Sequence, residues 1–200
     1  MVLNHVWGLF MQPREEWQAI RDERCSAGKC FCSHVLILAA IPVICGFIGT
    51  TQVGWEIGGR EAIKLTTASA LKISLVYYIT ILVAVFTIGK LIHWMGETYG
   101  TRPPLAQCIA LAAYTATPLF LVGIMQIYPV LWLNLLVGLP ALAYSVYLLY
   151  TGVPVMMEIS EERGFLFSSA VLAVGLVTLV AVLAATVIMW SAGFGPVFTS

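Results

Sequence analysis

Charge is scarce in this chain: Asp, Glu, Lys and Arg make up 10% of its 200 residues, against about 25% in an ordinary soluble domain. A soluble fold of this length cannot hide a composition that is 60% hydrophobic, and a mean hydropathy of +0.93 points to lipid as the solvent. An excess of either sign is missing too. Ten Lys plus Arg balance ten Asp plus Glu, which leaves no basic surplus to neutralise a phosphate backbone and excludes nucleic acid as a partner. The first thirty residues lack an uninterrupted apolar core ahead of a small-residue cleavage site, so this segment is expected to stay in the mature protein. Catalytic signatures are absent as well: there is no Gly-x-Ser-x-Gly elbow, no His-Glu-x-x-His and no phosphate-cradling glycine loop. Glu161 and Glu162 have no histidine partners in neighbouring apolar segments, and no Asp, Glu, Lys or Arg falls near the centre of one, where chemistry inside a membrane would need it. The expectation is a protein that is not an enzyme and carries no cofactor.

What the chain has in abundance is long apolar runs. Crossing a bilayer takes about 20 residues of helix, and five segments meet that demand, roughly 35–53, 70–95, 105–128, 129–151 and 165–191. The expected fold is an all-α polytopic integral membrane protein of five transmembrane helices (35–191), preceded by an N-terminal cytoplasmic amphipathic helical segment (1–34) and followed by a short non-cytoplasmic tail (192–200). Arg14, Arg21, Arg24, Lys29, Lys90, Arg102 and Arg163 fall on one side of these spans and Arg60, Lys64 and Lys72 on the other. By the positive-inside rule the N-terminus is cytoplasmic and the C-terminus lies across the membrane. Tyr128-Pro129 leaves almost no loop between the third and fourth spans, which predicts a tight hairpin with Pro129 opening the fourth.

Ahead of the first span, Val2, Val6, Leu9 and Phe10 recur at helical spacing. A second helix is predicted to start at Pro13, with Glu15 and Glu16 in its first turn and Trp17 and Ile20 on one face. Such a face lies either in the lipid interface or on the cytosolic ends of the spans. Trp7, Phe10 and Trp17 are its candidate contacts.

Cys25, Cys30 and Cys32 stand close to His34, just before the first span. Thiolate and imidazole are zinc's preferred donors, so these four residues are an alternative metal set. The Cys-x4-Cys-x-Cys-x-His spacing matches no common zinc pattern, and the cytoplasm is reducing, so unpaired thiols are the favoured reading; juxtamembrane acylation is a further one. Lys90, His93 and Glu97 share a face at the cytoplasmic end of the second span, read first as a solvated, topology-setting cluster. The few polar residues within spans, Gln107, Tyr114, Thr115, Thr117, Gln126 and Asn134, read as hydrogen-bonding glue between helices. Pro42, Pro118 and Pro140 are each expected to bend a span. Ala112-x3-Ala116 and Ala181-x3-Ala185 suit close packing in a compact bundle or a homo-oligomer.

The stretches HVWGLFMQPREEW (5–17), HVLILAAIPVICGFIGTTQVGW (34–55), ATPLFLVG (116–123), YLLYTGVP (147–154) and GFLFSSAVLAVG (164–175) resemble the bacterial inner-membrane branch of the Yip domain family, named for Ypt/Rab-interacting proteins. The resemblance covers nearly the whole chain and implies five spans with a cytoplasmic N-terminus. Eukaryotic members carry Gly-Tyr-x3-Pro in the third span; this chain keeps Tyr114 and Pro118 but has Ala113 in place of the glycine. It also lacks their Asp-Leu-x-Gly-Pro motif. These departures argue against a Rab-type GTPase as partner. The resulting expectation is a membrane-organising scaffold that contacts the lipid bilayer and an unidentified protein or lipid partner. The alternative is a small oligomeric transporter or channel around the Pro-kinked third and fourth spans, its path lined by Tyr114, Thr117 and Asn134, with Pro118 a further interaction candidate beside them.

Overall fold

The computed structural model describes residues 2–23, 34–55, 62–98 and 100–199. Two short helices come first, α1 (Val2–Met11) and α2 (Pro13–Asp22). The break falls where the sequence predicts it, because Pro13 suits the first turn of a helix and cannot continue the one before. Trp17 and Ile20, three residues apart on α2, are both buried, as is Leu9 on α1.

Five helices follow that are long and apolar enough to cross a membrane. The first span is α3 (Leu36–Ile48), extended by a π-helical turn Gly49–Val53, and the second is α4 (Thr67–Thr98). The third is made of α5 (Leu105–Thr115), α6 (Thr117–Val122) and a 3-10 turn Gly123–Ile127. The fourth is α7 (Leu131–Met157), and the fifth is α8 (Glu161–Met189) with its own π-helical end, Trp190–Phe194. The third span is the centre of the bundle and the fifth its edge: 61% of the most apolar window of the one is buried inside the protein, against 6% for the other. The second span and the 3-10 turn's partner, the first span, flank the third on one side; the fourth and the N-terminal helices close around it on the other.

The prolines separate into two kinds. Of the three mid-span prolines, Pro118 stands at a break, where α5 stops and α6 restarts with the proline in its first turn. Pro42 and Pro140 sit inside helices that continue through them without a break. Around Pro42 the reason is packing: a Cβ on Gly123 would lie 2.5 Å from the proline Cβ, so the ring is held against the neighbouring span at a residue with no side chain.

The hairpin also differs in detail. Pro129 does not open the fourth span; Tyr128 and Val130 are extended and the helix starts at Leu131. A residue before proline is driven out of the helical region. Asn134 then stabilises the turn by donating its side-chain amide to the carbonyls of Tyr128 (2.8 Å) and Val130 (2.9 Å).

At the end of the bundle away from α1 and α2, the C-terminal tail pairs with the segment before the second span. Thr66 donates its amide to the Val197 carbonyl, and Thr199 to that of Lys64. The two chain ends therefore sit at opposite ends of the bundle.

Candidate functional site

A polar cluster in the interior lies where the N-terminal helices meet the break in the third span. His34, immediately ahead of the first span, is fully buried, and its Nε2 is 2.9 Å from Thr117 Oγ1, itself fully buried. The imidazole also packs on Tyr114, with ring centroids 4.2 Å apart. Tyr114 meets two rings of the N-terminal helices in T-shaped contacts, Trp17 at 6.4 Å and His5 at 5.7 Å. His5 in turn meets Glu16 through Nδ1 and Glu23 through Nε2, the latter at 3.1 Å. Glu16 is largely enclosed and Glu23 half exposed.

Three separate pieces of chain thus converge on Tyr114. Further bonds hold them there: the Tyr144 hydroxyl donates to the Leu9 carbonyl (2.8 Å), the Arg21 guanidinium to that of Val155 (3.2 Å), and Phe10 stacks on Tyr144 at 5.1 Å. Trp17 lies so close to the fourth span that a Cβ on Gly152 would be 2.6 Å from its ring. The absence of a side chain at 152 makes room for the indole.

Burial, with nearby His5 as a smaller cause, pushes His34 down to about 4 from its ordinary 6.5. It is therefore neutral in the folded protein, able to share one hydrogen bond with Thr117, while Nδ1 has no partner among the described residues. The sign of the linkage follows. Between pH 6.5 and 4 the unfolded chain takes up a proton at His34 that the folded chain refuses, so this contribution is complete above pH 6.5 and is lost as pH falls toward 4. Thermal unfolding in detergent should show a melting temperature that drops across that window. His34→Gln should flatten the drop; an unchanged slope would remove His34 as a cause.

The other sequence-predicted residues are scattered. Trp7 is 68% exposed on α1, while Trp17, on the facing helix, is fully enclosed. Lys90 lies exposed on the second span with Nζ 5.6 Å from the Phe86 ring centroid, and His93 meets the Pro103 carbonyl through Nδ1 at 2.9 Å. Pro118 is buried beside Thr117. Asn134 is engaged with its own hairpin and does not join Tyr114 and Thr117, which are held within the buried cluster, so a solute path shared by the three is not favoured. Cys25, Cys30 and Cys32 lie outside the described residues. Among the described residues no three His, Cys, Asp or Glu side chains are grouped to hold a metal, and Nε2 of His34 is already engaged by Thr117. Sequence reading missed His5, Glu16 and Glu23 as members of the site. The available signal was a histidine and two carboxylates within otherwise apolar-faced helices joined by a one-residue break at Gln12.

The Yip1 domain family model matches residues 7–182, a stretch that includes Trp17, Tyr114 and Thr117 and starts just after His5. The chain is 46% identical over 192 residues to "Inner membrane protein YohC" of Escherichia coli strain K12, covering 96% of this chain and 98% of that protein. The protein of the same name from Escherichia coli O6:H1 strain CFT073 matches equally. No solved structure matches. Given a family match along most of its length and a relative aligned nearly end to end, this five-span chain belongs to the Yip1 domain family.

Proposed function

We propose that the protein is a non-enzymatic scaffold of the bacterial inner membrane, with the N-terminus cytoplasmic and the C-terminus periplasmic, and that α1 and α2 are its contact surface. The orientation rests on the excess of Lys and Arg at the end of the bundle that carries those helices. The placement in the inner membrane rests on the relatives' name. One observation carries the functional reading: α1 and α2 are anchored to the bundle by Leu9, Trp17 and Ile20, yet Trp7 (68% exposed) and Met11 (60%) point away from it. A rigidly held helix that leaves a tryptophan and a methionine outside its packing presents an anchor of the kind that dominates protein contacts or enters a headgroup layer.

Deleting the helices would be a poor test, because it also removes Leu9, Trp17 and Ile20 from the core. The sharper variant is Trp7→Ser with Met11→Ser. Purified in mild detergent, it should melt within a degree or two of the parent, since neither side chain is buried, and should lose a protein or lipid that the parent retains. Identical retained partners from both, identified by mass spectrometry, would sink the contact-surface reading.

A further inference from the structure

Between the second and fifth spans, at the end of the bundle away from the N-terminal helices, lies a groove of about 830 Å³. We propose that it binds one anionic phospholipid, with the phosphate on Lys72 and the acyl chains between the two helices.

Its shape suits a lipid of one leaflet. The groove runs along the second span from Ser69 to Thr80, a rise of about 16 Å, or half of a hydrocarbon core about 30 Å thick. On the opposing wall it follows Val182, Thr186 and Met189 to Trp190 at the mouth, where an interfacial tryptophan belongs. Its depth is mainly apolar, lined by Ile73, Leu75, Val76 and Val182, and the Tyr77 hydroxyl there accepts from Gln126 Nε2 (3.2 Å). The Thr80 hydroxyl donates to the Val76 carbonyl (2.8 Å) and the Thr186 hydroxyl to that of Val182 (2.9 Å), so both hydroxyls are already engaged within their own helices. Near the mouth, Ser69 Oγ is occupied by the Val197 amide (3.0 Å).

Lys72 is the charged residue of this lining, exposed in the second turn of the span, and it forms no ion pair with a described residue. Its stem can follow the apolar wall while the ammonium reaches the headgroup layer. Among the described residues this end carries Lys64 and Lys72, whereas the described carboxylates lie on α2 and just after it, at the far end of the second span, and where the fourth span ends and the fifth begins. Because the fifth span is so little covered by protein, the surrounding solvent is itself acyl chain, and a lysine at the mouth selects among headgroups by charge.

The test is native mass spectrometry of the full chain in detergent with equal phosphatidylglycerol and phosphatidylcholine added. The parent should retain phosphatidylglycerol in preference, about one per chain. Lys72→Gln should lower that retention about fivefold, the size of one lysine's attraction for an anionic headgroup. Lys72→Arg and Lys64→Gln should leave it near the parent, and Val76→Trp, which fills the groove from its lipid-facing wall, should abolish it. Equal retention of both lipids, or loss from Lys64→Gln equal to that from Lys72→Gln, would overturn the proposal. So would a parent dimer that Val76→Trp dissolves, which would place a second copy in the groove.

Discussion

Trp17→Ala should destabilise the protein by about 3–5 kcal/mol, the cost of truncating a large aromatic in a packed core, and should release α1 and α2 from the bundle. Trp17 is fully buried, meets Tyr114 edge to face, and lies against the fourth span at a position where only glycine leaves it room. No smaller side chain at 17 can keep those contacts together, and the cavity opens beneath helices too short to hold themselves. Isolated helices of ten residues are marginal in water, so their order depends on this docking. Trp17→Phe should cost far less, because the indole N–H it removes has no hydrogen-bond partner among the described residues. The measurements are a thermal melt in detergent and limited trypsin digestion, with faster cleavage at Arg14 and Arg21 expected for the alanine variant. A parent-like melt with parent-like digestion would mean that α1 and α2 are not held by Trp17.

Gly49→Val is the second large effect, about 3 kcal/mol or more, at or above the usual upper end for overpacking. A Cβ at position 49 would fall 2.9 Å from the Ile127 carbonyl oxygen and closer still to that of Gln126. Both obstacles are backbone, in the 3-10 turn that ends the third span, so no rotamer change relieves them. In lipid the association of helices depends on close packing rather than on removal of apolar surface from water, and a forced separation here loses what holds the first span to the third. Gly123 against Pro42 and Gly46 against Gln126 lie along the same seam. The expected readout is a large fall in melting temperature and in the amount recovered from the membrane. Gly49→Ala should be milder in the same direction, and a valine variant as stable as the parent would contradict this contact.

Much of the architecture was legible because it is local. Each span declares itself by a run of apolar residues longer than a bilayer is thick. The start of α2 declares itself by Pro13, with two carboxylates behind it and Trp17 and Ile20 one turn apart. Pro118, Pro42 and Pro140 looked alike in sequence and are not alike in the fold. A proline's effect on a helix depends on what is packed around it, and Gly123 sits 81 positions from Pro42. The hairpin was placed correctly and its first helical residue was not, since Asn134 makes the extended Tyr128–Val130 turn stable by bonding back to it.

The candidate site was half visible. Tyr114 and Thr117 stood out as polar residues in an apolar span, and His34 as a histidine at the membrane edge, but it was associated with three cysteines rather than with Thr117. His5, Glu16 and Glu23 gave no pattern that connects them to Tyr114, about a hundred residues away. Hydropathy, turn chemistry and charge asymmetry act within a few residues of where they are written, and they determine how many helices there are, where each begins and which way the chain is expected to thread. Which helix faces meet is decided by the packing of surfaces far apart in the chain. That packing alone put His5, Trp17 and His34 around one tyrosine, and left Trp7 and the Lys72 groove open to whatever the membrane supplies.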